Sequence, residues 1–173
     1  LQIFWDKHHL EYIAFDSTLD RFDIDFHHRF GTGRHEIVWG AGYRLIDGSY
    51  EGTFSIDFAR PYSQDYLLNA FIQDEIALDE HHLQLVFGSK FEYNTWTDFE
   101  VQPNARLLWT PHARHSLWAA VSRSTRTPSI GEQLMRITLA VLPPGAAGPG
   151  SPVTWVSYAG NDGFETEKLV AYE

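Results

Sequence analysis

The sequence predicts an all-β fold, an antiparallel up-and-down meander of about eight strands forming part of a transmembrane β-barrel. Three observations carry this. First, apolar and polar residues alternate over stretches longer than the usual strand of about five or six residues. In HLQLVFGSKFEYN, Leu83, Leu85, Phe87, Phe91 and Tyr93 fall on one face, with His82, Gln84, Lys90, Glu92 and Asn94 opposite. Such a long apolar face, backed by charges of both signs, fits a sheet between oil and water, where strands need about 9–11 residues at a tilt. Second, short polar turns on one side face long connections on the other, the asymmetry of membrane barrels. Third, 15% of residues are aromatic, and Trp and Tyr anchor at membrane interfaces.

Composition narrows the alternatives. The 173 residues suit one ordinary domain. A formal charge of −10 argues against a nucleic-acid partner, since such surfaces are basic. With no cysteine, disulfides and thiolate metal sites are excluded. No stretch approaches about 18 uninterrupted apolar residues, so no membrane helix is expected. The best apolar run, Ile137–Leu142, stops at Pro143, Pro144 and Gly145. The chain begins at Leu1 without Met or a signal-peptide pattern and stops at Glu173 inside a strand-like LVAYE, so it reads as an internal piece of a longer protein.

In order, Leu1–Lys7 reads as a strand remnant and His8–Ser17, which loses alternation, as a loop. From Arg21, Phe22, Ile24, Phe26 and Phe30 share a face against Asp23, Asp25, His27 and Arg29. Gly31–Gly33 is a tight turn, glycine taking positive φ without steric cost. The return strand puts Ile37, Trp39, Ala41, Tyr43 and Leu45 on its apolar face and ends at Asp47-Gly48. Crossing parity then makes 47–65 one long loop on the far side; Phe54, Ile56 and Phe58 alternate within it, and Pro61 bars a central ladder position. Four strands follow, Tyr66–Leu78, His82–Asn94, Phe99–Thr110 and His115–Pro128, with turns at Asp79–His81 and Pro111–Arg114 and a connection at Thr95–Asp98. A second far-side loop covers 127–165 and contains PPGAAGPGSP, a flexible or extended insert. Leu83, Leu85, Phe87, Leu107, Trp109, Leu117, Ala119 and Val121 should share the lipid side; Gln84, Lys90, Asn104, Arg106 and Ser122 should share the lumen side. Asp74 breaks the pattern, falling between Ile72 and Ile76.

Candidate chemistry is sparse. Asp23, Asp25 and His27 share a strand face and, converging with another carboxylate, would resemble a water-activating set; the plainer reading is a salt-bridged lumen face. His8-His9, His27-His28 and His81-His82 are adjacent pairs, and neighbours on a strand point to opposite faces, so no metal set is assigned. Trp96, Trp155 and Tyr158 fall in far-side loops and are the candidate ligand-binding residues, by stacking. Trp5, Trp39, Trp109, Tyr43 and Tyr93 read as interface anchors. No phosphate loop, nucleophile elbow or cofactor fingerprint is present, so no cofactor and no catalytic residue is assigned.

The pieces FDIDFHHRF…RHEIVWGAGYR (Phe22–Arg44), AFIQDEIAL (Ala70–Leu78), LQLVFGSKFEYN (Leu83–Asn94), QPNARLLWTP (Gln102–Pro111), LWAAVSRSTRTPS (Leu117–Ser129) and GFETEKLVAYE (Gly163–Glu173), in this order and spacing, resemble the barrel of TonB-dependent outer-membrane receptors. The resemblance covers about two thirds of the chain. It implies a 22-stranded barrel with an N-terminal plug in the bacterial outer membrane. Such receptors import iron–siderophore complexes, cobalamin or similar scarce nutrients, energised by TonB. Partners so implied are a small-molecule nutrient or metal chelate, TonB through a plug, and outer-membrane lipid. This stretch holds neither a plug-type segment with a TonB box nor a closing aromatic strand, so it is not expected to transport alone. The resemblance carries over no individual binding residue. The alternatives are an outer-membrane barrel enzyme, a protease or lipase, and a soluble β-sandwich that binds a glycan or other ligand.

Overall fold

The alternating runs become strands of one antiparallel sheet. The computed structural model describes residues 1–79 and 82–173. In chain order these form β1 (Gln2–Tyr12), β2 (Phe15–Thr32), β3 (His35–Gly52), β4 (Ile56–Phe58), β5 (Tyr62–Asp79), β6 (Leu83–Asn94), β7 (Asp98–His112), β8 (His115–Arg126), α1 (Ile130–Leu134), β9 (Met135–Leu142), β10 (Thr154–Ala159) and β11 (Glu167–Tyr172). Among the described residues, eight strands make a meander ordered β1-β2-β3-β5-β6-β7-β8-β11, and three short ones a second sheet ordered β10-β9-β4.

Register fixes which side chains share a face. Leu83, Trp109 and Leu117 lie in one row, Leu85, Leu107 and Ala119 in the next, and Phe87, Ala105 and Val121 in a third. The expected lipid-side set is therefore one face. Opposite it, Gly88, Asn104 and Ser122 form one row and Val86, Arg106 and Ala120 another. Near the turns this polar face also holds Leu108 and Trp118 beside Gln84, which the sequence reading did not anticipate.

Burial is inverted relative to a water-soluble sheet. Among the described residues the buried apolar side chains are only Tyr50 and Leu134, whereas Ser17, Asp23, Asn94, Glu100 and Gln133 are buried polar ones. Phe22, Phe26, Phe30, Trp39, Leu68, Ile72, Phe87, Leu107 and Trp109 stand exposed on the apolar face. An apolar band of this size left open to one side needs a non-aqueous surrounding. It has a sharp upper edge. The row Trp5–Phe22–Leu45–Tyr66 is followed, two residues on, by Lys7–Asp20–Asp47–Gln64. Lys7 Nζ lies 3.2 Å from Asp20, and Gln64 Nε2 donates to Asp47 at 2.8 Å.

Several expectations are corrected, mostly for one physical reason. The ladder continues past the band, where both faces meet water and alternation disappears although pairing does not. His8–Ser17 is thus no loop: His8 pairs with Leu19, Leu10 with Ser17, and a two-residue turn at Ile13-Ala14 joins β1 to β2. Likewise β3 does not end at Asp47-Gly48 but runs to Gly52, and β5 begins at Tyr62. The long loop read over 47–65 contracts to 53–61 and contains β4. The span 127–165 is not irregular, since it holds α1, β9 and β10. The Pro/Gly insert 143–152 is a closed turn rather than an extended one, with Gly145 N–H donating to Ser151 O at 2.9 Å. The first hairpin turns at Gly33-Arg34 rather than Gly31–Gly33, with Thr32 paired to His35 and Gly33 at φ +60°, a conformation that suits glycine. The turn read at Asp79–His81 lies partly outside the described residues, at 80 and 81.

Asp74, the exception in the apolar pattern, does lie on the apolar face, in the row of Ile37 and Phe87. It is one row from His35 at the hairpin end, and His35 Nδ1 meets its Oδ2 at 2.7 Å.

Candidate functional site at the far end of the sheet

The far end, opposite the Gly33-Arg34 turn, gathers the side chains with binding potential. Trp96 is presented by a three-residue turn between Asn94 and Asp98. Asn94 builds it: its Oδ1 accepts from the backbone N–H of Trp96 and of Thr97, both at 2.9 Å, and its Nδ2 donates to Thr97 Oγ1 at 2.7 Å. Asp98 closes the turn at φ 56°, a left-handed conformation that Asp tolerates better than most residues. Thr95 Oγ1 accepts from Tyr66 N–H at 2.8 Å and ties the turn to β5. Trp96 is thereby held against the end of the neighbouring strand.

There it lines a cavity of about 270 Å³ on the polar face, with Arg44, Ile46, Asp65, Leu67, Glu92 and the segment Thr127–Ile130. Its walls mix aliphatic and aromatic side chains (Ile46, Leu67, Trp96, Ile130) with polar and charged ones (Arg44, Asp65, Glu92, Asn94), a combination that can both pack against and orient a small molecule. Burial pushes the Asp65 carboxyl up, opposed by hydrogen bonds from Ser63 and Trp96. Lys90 and Gln102 reach Glu92 at 2.7 and 3.4 Å. Arg44 Nε is paired with the buried Asp23.

Trp155 and Tyr158 sit elsewhere, on β10. Trp155 pairs with Val141 of β9 and packs on Phe54 with ring centroids 4.8 Å apart. Tyr158 pairs with Ile137, which in turn pairs with Ile56 of β4. Phe54, Trp155 and Tyr158 are each more than half exposed, at 59%, 56% and 51%, so their rings are available to a ligand. The structure therefore distributes the three predicted residues over two places, one cavity and one exposed aromatic surface. It also adds Phe54 and Asp65. Phe54 was visible as part of the Phe54–Ile56–Phe58 alternation; Asp65 gave no sequence signal, since its role depends on the β5–β6 register.

Joining the two places is α1. Its start is a capping box: Ser129 Oγ accepts from Glu132 N–H at 3.3 Å, and Ser129 N–H donates to Glu132 Oε2 at 2.8 Å. The pattern Ser129-Ile130-Gly131-Glu132 is the signal that would have located it. That N–H bond first, then Arg126 and the Ser129 hydroxyl, hold the Glu132 carboxyl down at about 2.

Of the Asp23, Asp25 and His27 set, the structure brings the two carboxylates together beside Arg44. Asp23 pairs with Arg44, the His27 ring packs edge-on against Phe71 at 5.4 Å, and Asp25 lies with Asn69 over Gly42. No hydrogen bond joins His27 to either carboxylate. His27 and His28 point to opposite faces, His28 toward Trp39. No cluster of three or more His, Asp or Glu suited to a metal ion occurs among the described residues.

Comparisons with known proteins agree with this geometry. The profile of the family described as TonB dependent receptor-like, beta-barrel matches residues 5–173. Curated proteins gave no significant match. Among solved structures, the crystal structure of the siderophore receptor PirA from Acinetobacter baumannii is similar, with a TM-score of 0.63 at 12% identity, over 91% of this chain and 24% of that receptor. The chain thus spans about a quarter of the receptor's length, and at this identity the likeness shows the fold. Profile, meander and inverted burial converge on one statement: the chain belongs to the TonB-dependent receptor β-barrel family.

Proposed function

We propose that this chain forms wall and ligand-side loops of a bacterial outer-membrane receptor. That receptor imports an iron–siderophore complex, cobalamin or a similarly scarce nutrient, energised by TonB, and these segments have no catalysis of their own. The observation that supports this best is the inverted burial: exposed aromatic and aliphatic rows on one face, paired charges and amides on the other. Such a wall suits lipid outside and a hydrated lumen inside. The β4–β9–β10 sheet and the Trp96 cavity stand where an extracellular ligand arrives, and recognition commonly resides on loops held by a rigid scaffold. Trp96, Trp155 and Tyr158 are the proposed ligand contacts, with Phe54 beside Trp155.

The test uses the intact parent receptor. Deleting 138–154 removes most of β9 and the turn that joins it to β10, and should weaken ligand uptake while leaving barrel insertion intact. Trp96→Ala should lower uptake about tenfold, the loss of one half-buried aromatic anchor. Unchanged uptake and affinity in both variants would exclude these loops from the binding surface. Hydrolysis of peptide or ester bonds by the parent, abolished by Asp25→Asn, would replace import with the enzyme reading.

A further inference from the structure

The excursion between β8 and β11 leaves and returns through one point. Arg126 and Glu167 are register partners at its neck. Arg126 Nη1 donates to Glu167 at 3.0 Å and Nη2 to Glu132 at 2.7 Å. One guanidinium therefore ties together the departing limb, the returning limb and α1. The limbs meet again at α1: Asn161 N–H donates to Glu132 O at 3.0 Å and Gly160 N–H to Met135 O at 2.7 Å. Gly160 lies so close that a Cβ would fall 2.6 Å from the Gln133 carbonyl carbon. The other loop joins too, Ala59 N–H donating to Leu134 O at 2.8 Å. The residues immediately before and at the start of α1, Thr127–Ile130, form one wall of the Trp96 cavity.

We infer that the 127–166 excursion is a strap seated over this cavity by an ionic latch at Arg126, so that the cavity opens when α1 lifts and carries the small sheet with it. The latch residues are solvent-exposed, with Arg126 and Glu167 side chains at 53% and 71%. Exposed ion pairs are individually weak and screened by salt, which suits a contact meant to open. The backbone bonds to α1 give the strap a single seat rather than a loose range of positions. This inference is independent of the cargo: it concerns access to the cavity whatever the receptor imports.

The test measures access directly. In a cysteine-free form of the intact receptor, Leu67→Cys places a thiol on the cavity wall and Ser49→Cys one outside it. Arg126→Ala should raise the rate at which a water-soluble methanethiosulfonate modifies position 67 about three- to tenfold, with position 49 unchanged. Glu132→Gln should act in the same direction. Because Gln also serves in a capping box, it removes the ion pair while retaining the cap, and it stands in if Arg126→Ala fails to insert. Raising salt from about 0.05 to about 1 M should speed modification in the parent and have little effect in Arg126→Ala. Between about pH 5 and 8 the ratio of the Arg126→Ala rate to the parent rate at position 67 should be flat, because the rising thiolate fraction of the probe cysteine is common to both. Glu132, held near 2, contributes stability above its unfolded value of about 4.3 that is lost only as pH falls toward 2. Rates within about twofold of the parent in both variants, or an equal rise at position 49, would overturn the latch.

Discussion

Ile72→Arg separates a lipid-facing sheet from a water-facing one. Ile72 is 51% exposed and sits on the apolar face, paired with Trp39 and Ser89. On β5 that face runs from Tyr66 to Ile76, which puts Ile72 near its middle. If the face met water, replacing a half-exposed aliphatic side chain would change stability by about 0.5 kcal/mol or less. In a bilayer, Arg at mid-depth costs about 2–4 kcal/mol, whereas near the interface the cost falls to about 0–1 kcal/mol. Gln64, on the same face beyond the band edge, supplies the internal control. The expected gap between Ile72→Arg and Gln64→Arg is therefore at least about 1 kcal/mol and more typically about 2–3 kcal/mol. That is a factor of about 5 to more than 100 in the folded-to-unfolded ratio. Denaturant unfolding of the intact receptor in lipid vesicles, followed by tryptophan fluorescence, reads both values. If the two variants agree within about 0.5 kcal/mol, the apolar face does not contact lipid and the membrane assignment of this wall fails.

Two further substitutions probe the wall by the same unfolding assay. His35→Ala strips the partner from a carboxylate whose side chain is only 14% exposed, and should cost about 1–3 kcal/mol, discounted because His35 itself is 46% exposed. Asp74→Leu should instead be neutral or stabilising; a loss above about 1 kcal/mol would show that Asp74 has a role beyond tolerating its site. On the polar face, Gly42→Val places a Cβ 2.4 Å from Asp25 Oδ1 and 2.7 Å from Asn69 Nδ2, so it should cost about 1–3 kcal/mol through overpacking. A neutral result there would mean that Asp25 and Asn69 swing away freely.

What the sequence disclosed depended on whether the two faces of a strand meet different solvents. From Phe22 to Phe30 and from Leu83 to Tyr93 they do, and the alternation located strands and faces together. From Asp16 to Thr18 every residue is polar, and from Ser49 to Glu51 a single aromatic, Tyr50, stands between polar residues, yet these segments pair residue for residue. Period-2 reading has no contrast to detect there, and the residues looked like loops. The candidate site divides in the same way. Trp96, Trp155 and Tyr158 were visible as aromatics between strands. Their settings were not, because each depends on contacts between segments distant in sequence: Trp155 on Phe54, and Trp96 on the strand end that carries Asp65.

Those hidden strand extensions also explain where the cavity lies. β3 and β5 are 18 residues long, while β6 and β8 are 12. Starting from the same band, the longer strands rise above the Asn94–Asp98 turn and leave a step at the far end, with the tall strands on one side and Glu92, Asn94 and Trp96 on the other. The β7–β8 ladder stops below this level, its last pair on that side being Asn104 with Ser122, next to Pro103, which has no N–H to donate. Arg123 covers the opening, donating to Val101 O at 2.6 Å and to Glu100 at 3.3 Å. With β8 freed from β7 and paired only with β11, the chain after Arg126 can bend inward, and Thr127–Ile130 fills the step. The cavity is thus a consequence of unequal strand lengths and one proline. Insertions within the small sheet should therefore alter what the far end recognises while leaving Arg44, Asp65 and Glu92 in place on the cavity wall.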